Sequence, residues 1–203
     1  MESGDAQFYT RYSGATQRAR ILDAITRVVA EKGYAGATVA DIVAEAGVSR
    51  SSFYELFDGK AQCLVEAYRT ATTIAIEKVA TATAGALDSG WRIAAETAVH
   101  AYFEVVRESP QTSRMVFLDF RSLGAASIEE NAQAQSRYVA SVLKLQRSLA
   151  KLGTSVPTRP EAELGLIFAG IETRVAQALA SGDMRALNAV EAAAKTLLVG
   201  SDR

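Results

Sequence analysis

Apolar residues recur along most of this chain at the three- and four-residue intervals of an amphipathic helix, and no run alternates in the manner of a strand. From Thr16 onward, Ile21, Leu22, Ile25, Val28 and Val29 fall within one arc of a helical period, which predicts a helix to about Lys32 with Gly33 as its stop. Thr38 and Asp41 have capping-box spacing, with aspartate where glutamate is usual. They precede a short helix whose Val39, Ile42, Val43 and Ala46 share one face. Gly47 ends it, and Ser49 is placed to cap the next. From about Lys60, Leu64, Val65, Tyr68, Ala75 and Val79 mark a longer helix. Beyond Gly85, helices are expected over 91–108, from Pro110 to about Leu123, over 128–152, from Pro160 to about Ala180, and from Asp183 to about Val199. The pattern describes an all-α chain of about nine helices with no sheet. Residues 1–14, small and polar, read as a flexible arm.

The stretch from Gly47 to Lys60, GVSRSSFYELFDGK, divides when residues 50–57 are set on a helical wheel. Phe53, Leu56 and Phe57 gather on one side, fit to pack on the two preceding helices. Ser51, Tyr54 and Glu55 point the other way, with Arg50 and Ser52 on the flanks. Two short helices joined through a Gly-Val turn follow the helix-turn-helix plan. In that plan the second helix enters the DNA major groove, N-terminal residues first. Arg50 then reaches guanine O6 and N7, and small serines permit close approach to several bases. Two packed helices in any helical protein produce the same wheel, so periodicity leaves DNA binding and plain packing both open.

Composition narrows the classes. The net charge of −1 selects no partner, and over residues 1–60 lysine and arginine do not outnumber aspartate and glutamate. A field favouring phosphate must therefore come from arrangement. Cys63 is the sole cysteine, so no internal disulfide forms, in keeping with a reducing cytosol. The acidic N-terminus does not read as a signal peptide. The longest apolar run, residues 164–171, falls far short of the ~18 residues a membrane span needs. A soluble cytoplasmic protein is expected. One histidine and one cysteine cannot build a Cys/His zinc site. No phosphate loop, dinucleotide fingerprint, nucleophile elbow or helical metal-binding pair occurs, so no metal, cofactor or catalytic residue is expected. A helical enzyme and a helical ligand-binding dimer without DNA function stand as alternatives. Both leave 47–60 unexplained.

Arg20-Ile21-Leu22-Asp23-Ala24, Glu31-Lys32-Gly33-Tyr34, Ala37-Thr38-Val39-Ala40-Asp41-Ile42, Ala46-Gly47-Val48-Ser49 and Phe53-Tyr54-x-x-Phe57-x-x-Lys60 together resemble the TetR family of bacterial transcriptional regulators. The resemblance spans residues 16–68 with the family's spacing. It implies a helix-turn-helix domain over 15–60 and a ligand-binding, dimerising helical domain over 61–203. By position, Thr38 would touch phosphate, Arg50, Ser51 and Ser52 would read bases, and the Tyr54 hydroxyl would meet the backbone. Lys60 would address a phosphate at the start of its helix, where backbone N–H groups and the helix dipole add to its charge. Arg18 and Arg20 could add phosphate contacts by charge placement. Glu55, Leu56 and Asp58 depart from the pattern or face DNA without a contact being expected. The implied function is a homodimer on a palindromic double-stranded DNA operator, a repressor released by a small-molecule ligand.

The later helices carry most of the remaining aromatics. Trp91, His100, Phe103, Met115, Phe117, Phe120, Gln135 and Tyr138 combine many rings with a few polar groups, the usual makeup of a small-molecule site. They are the candidate pocket, although ordinary core packing explains each ring separately. The last two helices are apolar on two sides, more than one domain's core covers. Leu164, Gly165, Phe168, Ala169, Leu187, Val190 and Leu197 are the candidate dimer interface.

Overall fold

The computed structural model describes residues 7–157 and 159–199. Among them there are ten α-helices and no strand: α1 (Phe8–Ser13), α2 (Gln17–Gly36), α3 (Val39–Ala46), α4 (Arg50–Tyr54), α5 (Lys60–Ala84), α6 (Gly90–Glu108), α7 (Pro110–Phe117), α8 (Ala125–Lys151), α9 (Glu161–Ser181) and α10 (Met184–Val199). Short 3-10 turns occupy Leu87–Ser89 and Asp119–Leu123. The described residues group into two compact units. The first lies within Met1–Ile74 and Val106–Glu130, the second within Ala75–Val105 and Asn131–Arg203.

In the first unit, local chemistry sets the helix ends. Thr16 caps α2 by accepting from the Ala19 N–H, and Ile21, Leu22, Ile25 and Val29 are buried beneath it. Gly33 leaves helical geometry at φ 68°, ψ 162°, so the stop falls where the sequence puts it. Thr38 and Asp41 form the reciprocal capping box, each side chain accepting from the other's backbone N–H at 3.1 and 3.0 Å. Gly47 closes α3 in the left-handed conformation at φ 62°, where a Cβ would be strained. Ser49 then caps α4 by accepting from the Ser52 N–H. Below these helices Tyr68 stacks on Phe120 with ring centroids 3.9 Å apart, and Arg69 forks onto the buried Glu130 carboxylate.

The flexible arm is corrected over residues 7–14. Phe8 and Tyr9 are buried, and α1 packs on α2. The backbone N–H groups of Tyr9 and Thr10 donate to the Asp23 carboxylate at 2.9 and 3.1 Å, and the Tyr9 hydroxyl donates to the Ala67 carbonyl. Burial raises the Asp23 carboxyl above its ordinary value, against the lowering effect of the Thr10 and Tyr9 hydrogen bonds. Two rings in a six-residue helix anchor a segment whose average composition looks unstructured. The part of the expected arm over 1–6 lies outside the described residues.

In the second unit, Trp91, Ala94, Ala95 and Leu149 form a core with Val199, and the indole N–H donates to the Val199 carbonyl at 3.1 Å. Helices α9 and α10 pack as a pair. Gly182 ends α9 at φ 68° in the left-handed region, and Asp183 caps the next turn by accepting from the Arg185 N–H.

Candidate functional site

Helix α4 owes its position to its inner side. Phe53 and Phe57 are 0% and 2% exposed, with centroids 5.5 Å apart, and α4 packs on α3. That anchoring leaves Arg50, Ser51, Tyr54 and Glu55 on the exposed side, with Ser52 half-buried. The Tyr54 ring is 57% exposed and meets Phe53 edge-on, with no hydrogen-bond partner for its hydroxyl among the described residues. Ser49 donates to the Ser52 hydroxyl at 3.0 Å, and Ser51 lies 3.5 Å from the Glu55 carboxylate.

Charge pairing separates the basic residues of this unit. Arg18 pairs with Glu66 at 2.8 Å and lies over the Phe57 ring; Arg27 pairs with Glu45 and Lys32 with Asp41. Arg50 and Arg20 have no ion pair or hydrogen bond among the described residues. A guanidinium without an internal partner, on the exposed side of a rigidly seated helix, is free to contact an external acceptor.

Two expected DNA contacts are engaged inside the chain. The Lys60 ammonium donates to the carbonyls of Tyr34 and Ala37 at 2.7 and 2.8 Å and stands 4.3 Å from the Tyr34 ring centroid. One of its three donors remains. The Thr38 hydroxyl proton is taken by the Asp41 carboxylate at 2.6 Å. The Lys32 and Thr38 hydrogen bonds pull the Asp41 carboxyl down to about 2. Burial pushes the Cys63 thiol up, away from reactivity. No group of described residues could hold a metal ion, and no described helix is long and apolar enough to cross a membrane.

The second unit encloses a cavity of about 380 Å3 among α5, α6, α8, α9 and α10. Of the eight pocket candidates, Phe103 and Tyr138 line it, and the others lie elsewhere. Trp91 belongs to the core beside Val199. His100 is exposed and contacts Glu191 at 3.1 Å; Gln135 donates to Glu172 at 2.7 Å. Met115 and Phe120 are buried, and Phe117 half-buried, in the first unit, because α7 and the turn after it pack on α2. The lining that sequence reading missed includes Ile76, Val79, Val142, Lys144 and Leu145. The four-then-three spacing of Tyr138, Val142 and Leu145, which puts them on one face of α8, is the available signal.

The dimer candidates also divide. Leu164 and Leu187 are buried within the unit, and Phe168 stacks on Tyr138 at the cavity wall. Gly165, Ala169 and Val190 are half-buried, and Leu197 is 50% exposed. Two of these candidates, Val190 and Leu197, line the outer groove between α9 and α10 together with Leu166, Ile167, Gly170 and Ala193, with Leu166 77% exposed.

Residues 21–67, from the buried side of α2 into α5, match the model of bacterial regulatory proteins, tetR family. The chain carries a TetR-family domain. No curated protein matches the chain significantly. Among solved structures, the fatty acid degradation regulator FadR from Bacillus halodurans is 19% identical with a TM-score of 0.75, covering 91% of this chain and 98% of that one. The regulator FadR from Bacillus subtilis, in complex with stearoyl-CoA, is 18% identical over the same shares, with a TM-score of 0.72. A TetR family transcription regulator from Marinobacter aquaeolei is 18% identical with a TM-score of 0.67, covering 94% of this chain and all of that one. These likenesses give the chain a TetR-like fold.

Proposed function

We propose that this chain is a DNA-binding transcriptional regulator that acts as a homodimer, with α4 as its recognition helix and the α9–α10 groove as its self-interface. The observation that carries the reading is Arg50: an unpaired guanidinium on the exposed side of a helix whose aromatic side is locked into the core. Arg50 reads a base edge with Ser51 and Ser52 beside it, and the Tyr54 hydroxyl meets a phosphate. Lys60 contributes first by holding the carbonyl end of α2, with its remaining donor directed to phosphate. Thr38 contributes by fixing the start of α3, as its hydroxyl proton is engaged.

The cavity supports the ligand half of the reading, as does the stearoyl-CoA bound by the Bacillus subtilis relative. Two recognition helices must stand about 34–36 Å apart to enter successive turns on one DNA face. A ligand that prefers another separation weakens DNA binding, and the output is repression relieved by ligand. To release DNA well, the ligand must favour the non-binding state by several kcal/mol. The test is a mobility shift with fragments of the genome that encodes the protein, starting with DNA flanking its own gene. A specific shift, abolished by excess of a palindromic competitor, is expected. Absence of any sequence-selective shift from folded, dimeric protein at low salt would overturn the reading.

A further inference from the structure

Apart from the Tyr102 and Tyr138 hydroxyls, which stand on α6 and α8, the polar groups on the cavity wall are few. Thr83 donates its hydroxyl proton to the Val79 carbonyl, and Ser141 donates its own to the Arg137 carbonyl. Both are satisfied within their helices. Lys144 and Ser148 have no hydrogen bond or ion pair among the described residues. They stand four residues apart on α8 and so lie on one face. Lys144 is exposed, which places the ammonium at the cavity's edge, and Ser148 is half-buried behind it. No aspartate or glutamate lies on the described wall. The buried carboxylates of the same unit are already answered: Glu172 accepts from Gln135, and Glu191 is met by His100 and Lys195. The rest of the wall is apolar, with Ile76, Val79, Phe103, Leu145, Phe168 and Leu198 among its members.

We infer that the cavity takes an amphiphile with an apolar tail and an anionic head, the tail enclosed by the apolar wall and the head held by Lys144 and Ser148. The inference rests on the reading of the chain as a ligand-responsive regulator and names the ligand class. An unpaired cation at the rim of an apolar cavity supplies two things a tail-plus-anion needs: burial for the chain and a charge-assisted hydrogen bond for the head. A cationic head would meet a like charge, and a neutral head would forgo the charge-assisted hydrogen bond. Size follows from the volume: at about 30 Å3 for each water-sized group, the space holds roughly a dozen carbon-sized units. The anion is a free carboxylate or the phosphates of a carrier such as coenzyme A, and both share the chemistry that Lys144 recognises.

The experiment is calorimetric titration of the full chain with dodecanoate, dodecanoyl-CoA, 1-dodecanol and dodecyltrimethylammonium, all below micellar concentration. At least one anionic probe should bind roughly tenfold or more tightly than the alcohol, and the cation should bind worst. The stronger of the two anions identifies the source of the head. Lys144→Met should cost the anionic probe about tenfold and leave the alcohol unchanged; the residue is exposed, so the fold should survive, which circular dichroism checks. Equal affinity for anion and alcohol, or an unaltered anion affinity in Lys144→Met, would overturn the inference. A mobility shift run with the same probes separates the two readings. Tight anion binding with no DNA shift at all would sink the regulator, whereas ligand-indifferent DNA binding and no anion preference would sink only the ligand class.

Discussion

Gly170 sits within α9, on the groove it forms with α10, and a Cβ built there would meet nothing within 4 Å. Glycine in a helix interior costs about 0.5–1 kcal/mol relative to alanine, and the chain itself offers no close contact that requires it. Gly170→Ala should therefore stabilise the isolated protomer by about 0.5–1 kcal/mol, a rise of roughly 1–4 °C in Tm for a chain of this size. If a second copy packs its helices into the groove, the added methyl stands where the partner's backbone approaches. The dimer should then weaken by about tenfold while the protomer gains stability. Opposite signs make the test sharp, because a general folding defect lowers both. Sedimentation equilibrium gives the dimer dissociation constant, and thermal unfolding at concentrations well below and well above it gives the two stabilities. Gly170→Arg should leave monomers. A more stable Gly170→Ala protein with an unchanged dissociation constant would refute the placement of the interface in this groove.

Lys60→Met removes both charged hydrogen bonds to the Tyr34 and Ala37 carbonyls and should destabilise the chain by about 1.5–3 kcal/mol, toward the lower figure because the residue is only half-buried; denaturant unfolding measures it. Across single-base operator variants, Arg50→Ala should relax preference at one base pair per half-site by about 1–3 kcal/mol, while Tyr54→Phe should weaken all sequences alike. An Arg50→Ala that lost affinity equally everywhere would reverse that assignment. The Asp41 carboxyl, followed by NMR, should titrate near 2 instead of 3.8. Because the folded value is the lower one, its contribution is present above about pH 4 and is lost as pH falls toward 2. The stability gap between the native chain and Asp41→Asn should narrow across that window.

Helix ends in the first unit could be read from single residues because caps are local: Thr16, Thr38, Gly47 and Ser49 act on N–H groups or carbonyls within a few positions. The inward side of α4 was equally legible, since Phe53 and Phe57 can share a face only in one way. What stayed hidden depends on which surfaces meet. Helix α9 is apolar on two sides, and periodicity cannot say that Leu164 faces inward while Leu166 faces out. Met115 and Phe120 look like pocket residues until α7 is seen to pack on α2. Lys60 reads as a phosphate ligand because nothing in its neighbours announces that two carbonyls, 23 and 26 residues earlier, converge on its ammonium. Helix α1 escaped because two aromatic residues outweigh a polar average only when Asp23 is there to receive the Tyr9 and Thr10 N–H groups.

The position of Trp91 has an experimental consequence. It is the chain's single tryptophan, its ring is packed in the α6 core, and its N–H is held by Val199. Leu87, Val142 and Leu145 pack against that core and also line the cavity. The indole is thus one side chain away from the ligand space without touching it. With excitation at the red edge of its absorption, where the seven tyrosines absorb little, intrinsic emission comes from one tryptophan in one environment, with no label. A molecule that spreads Leu87 or Leu145 on entry changes the packing around the ring, and its arrival can be timed by stopped-flow from the native protein alone.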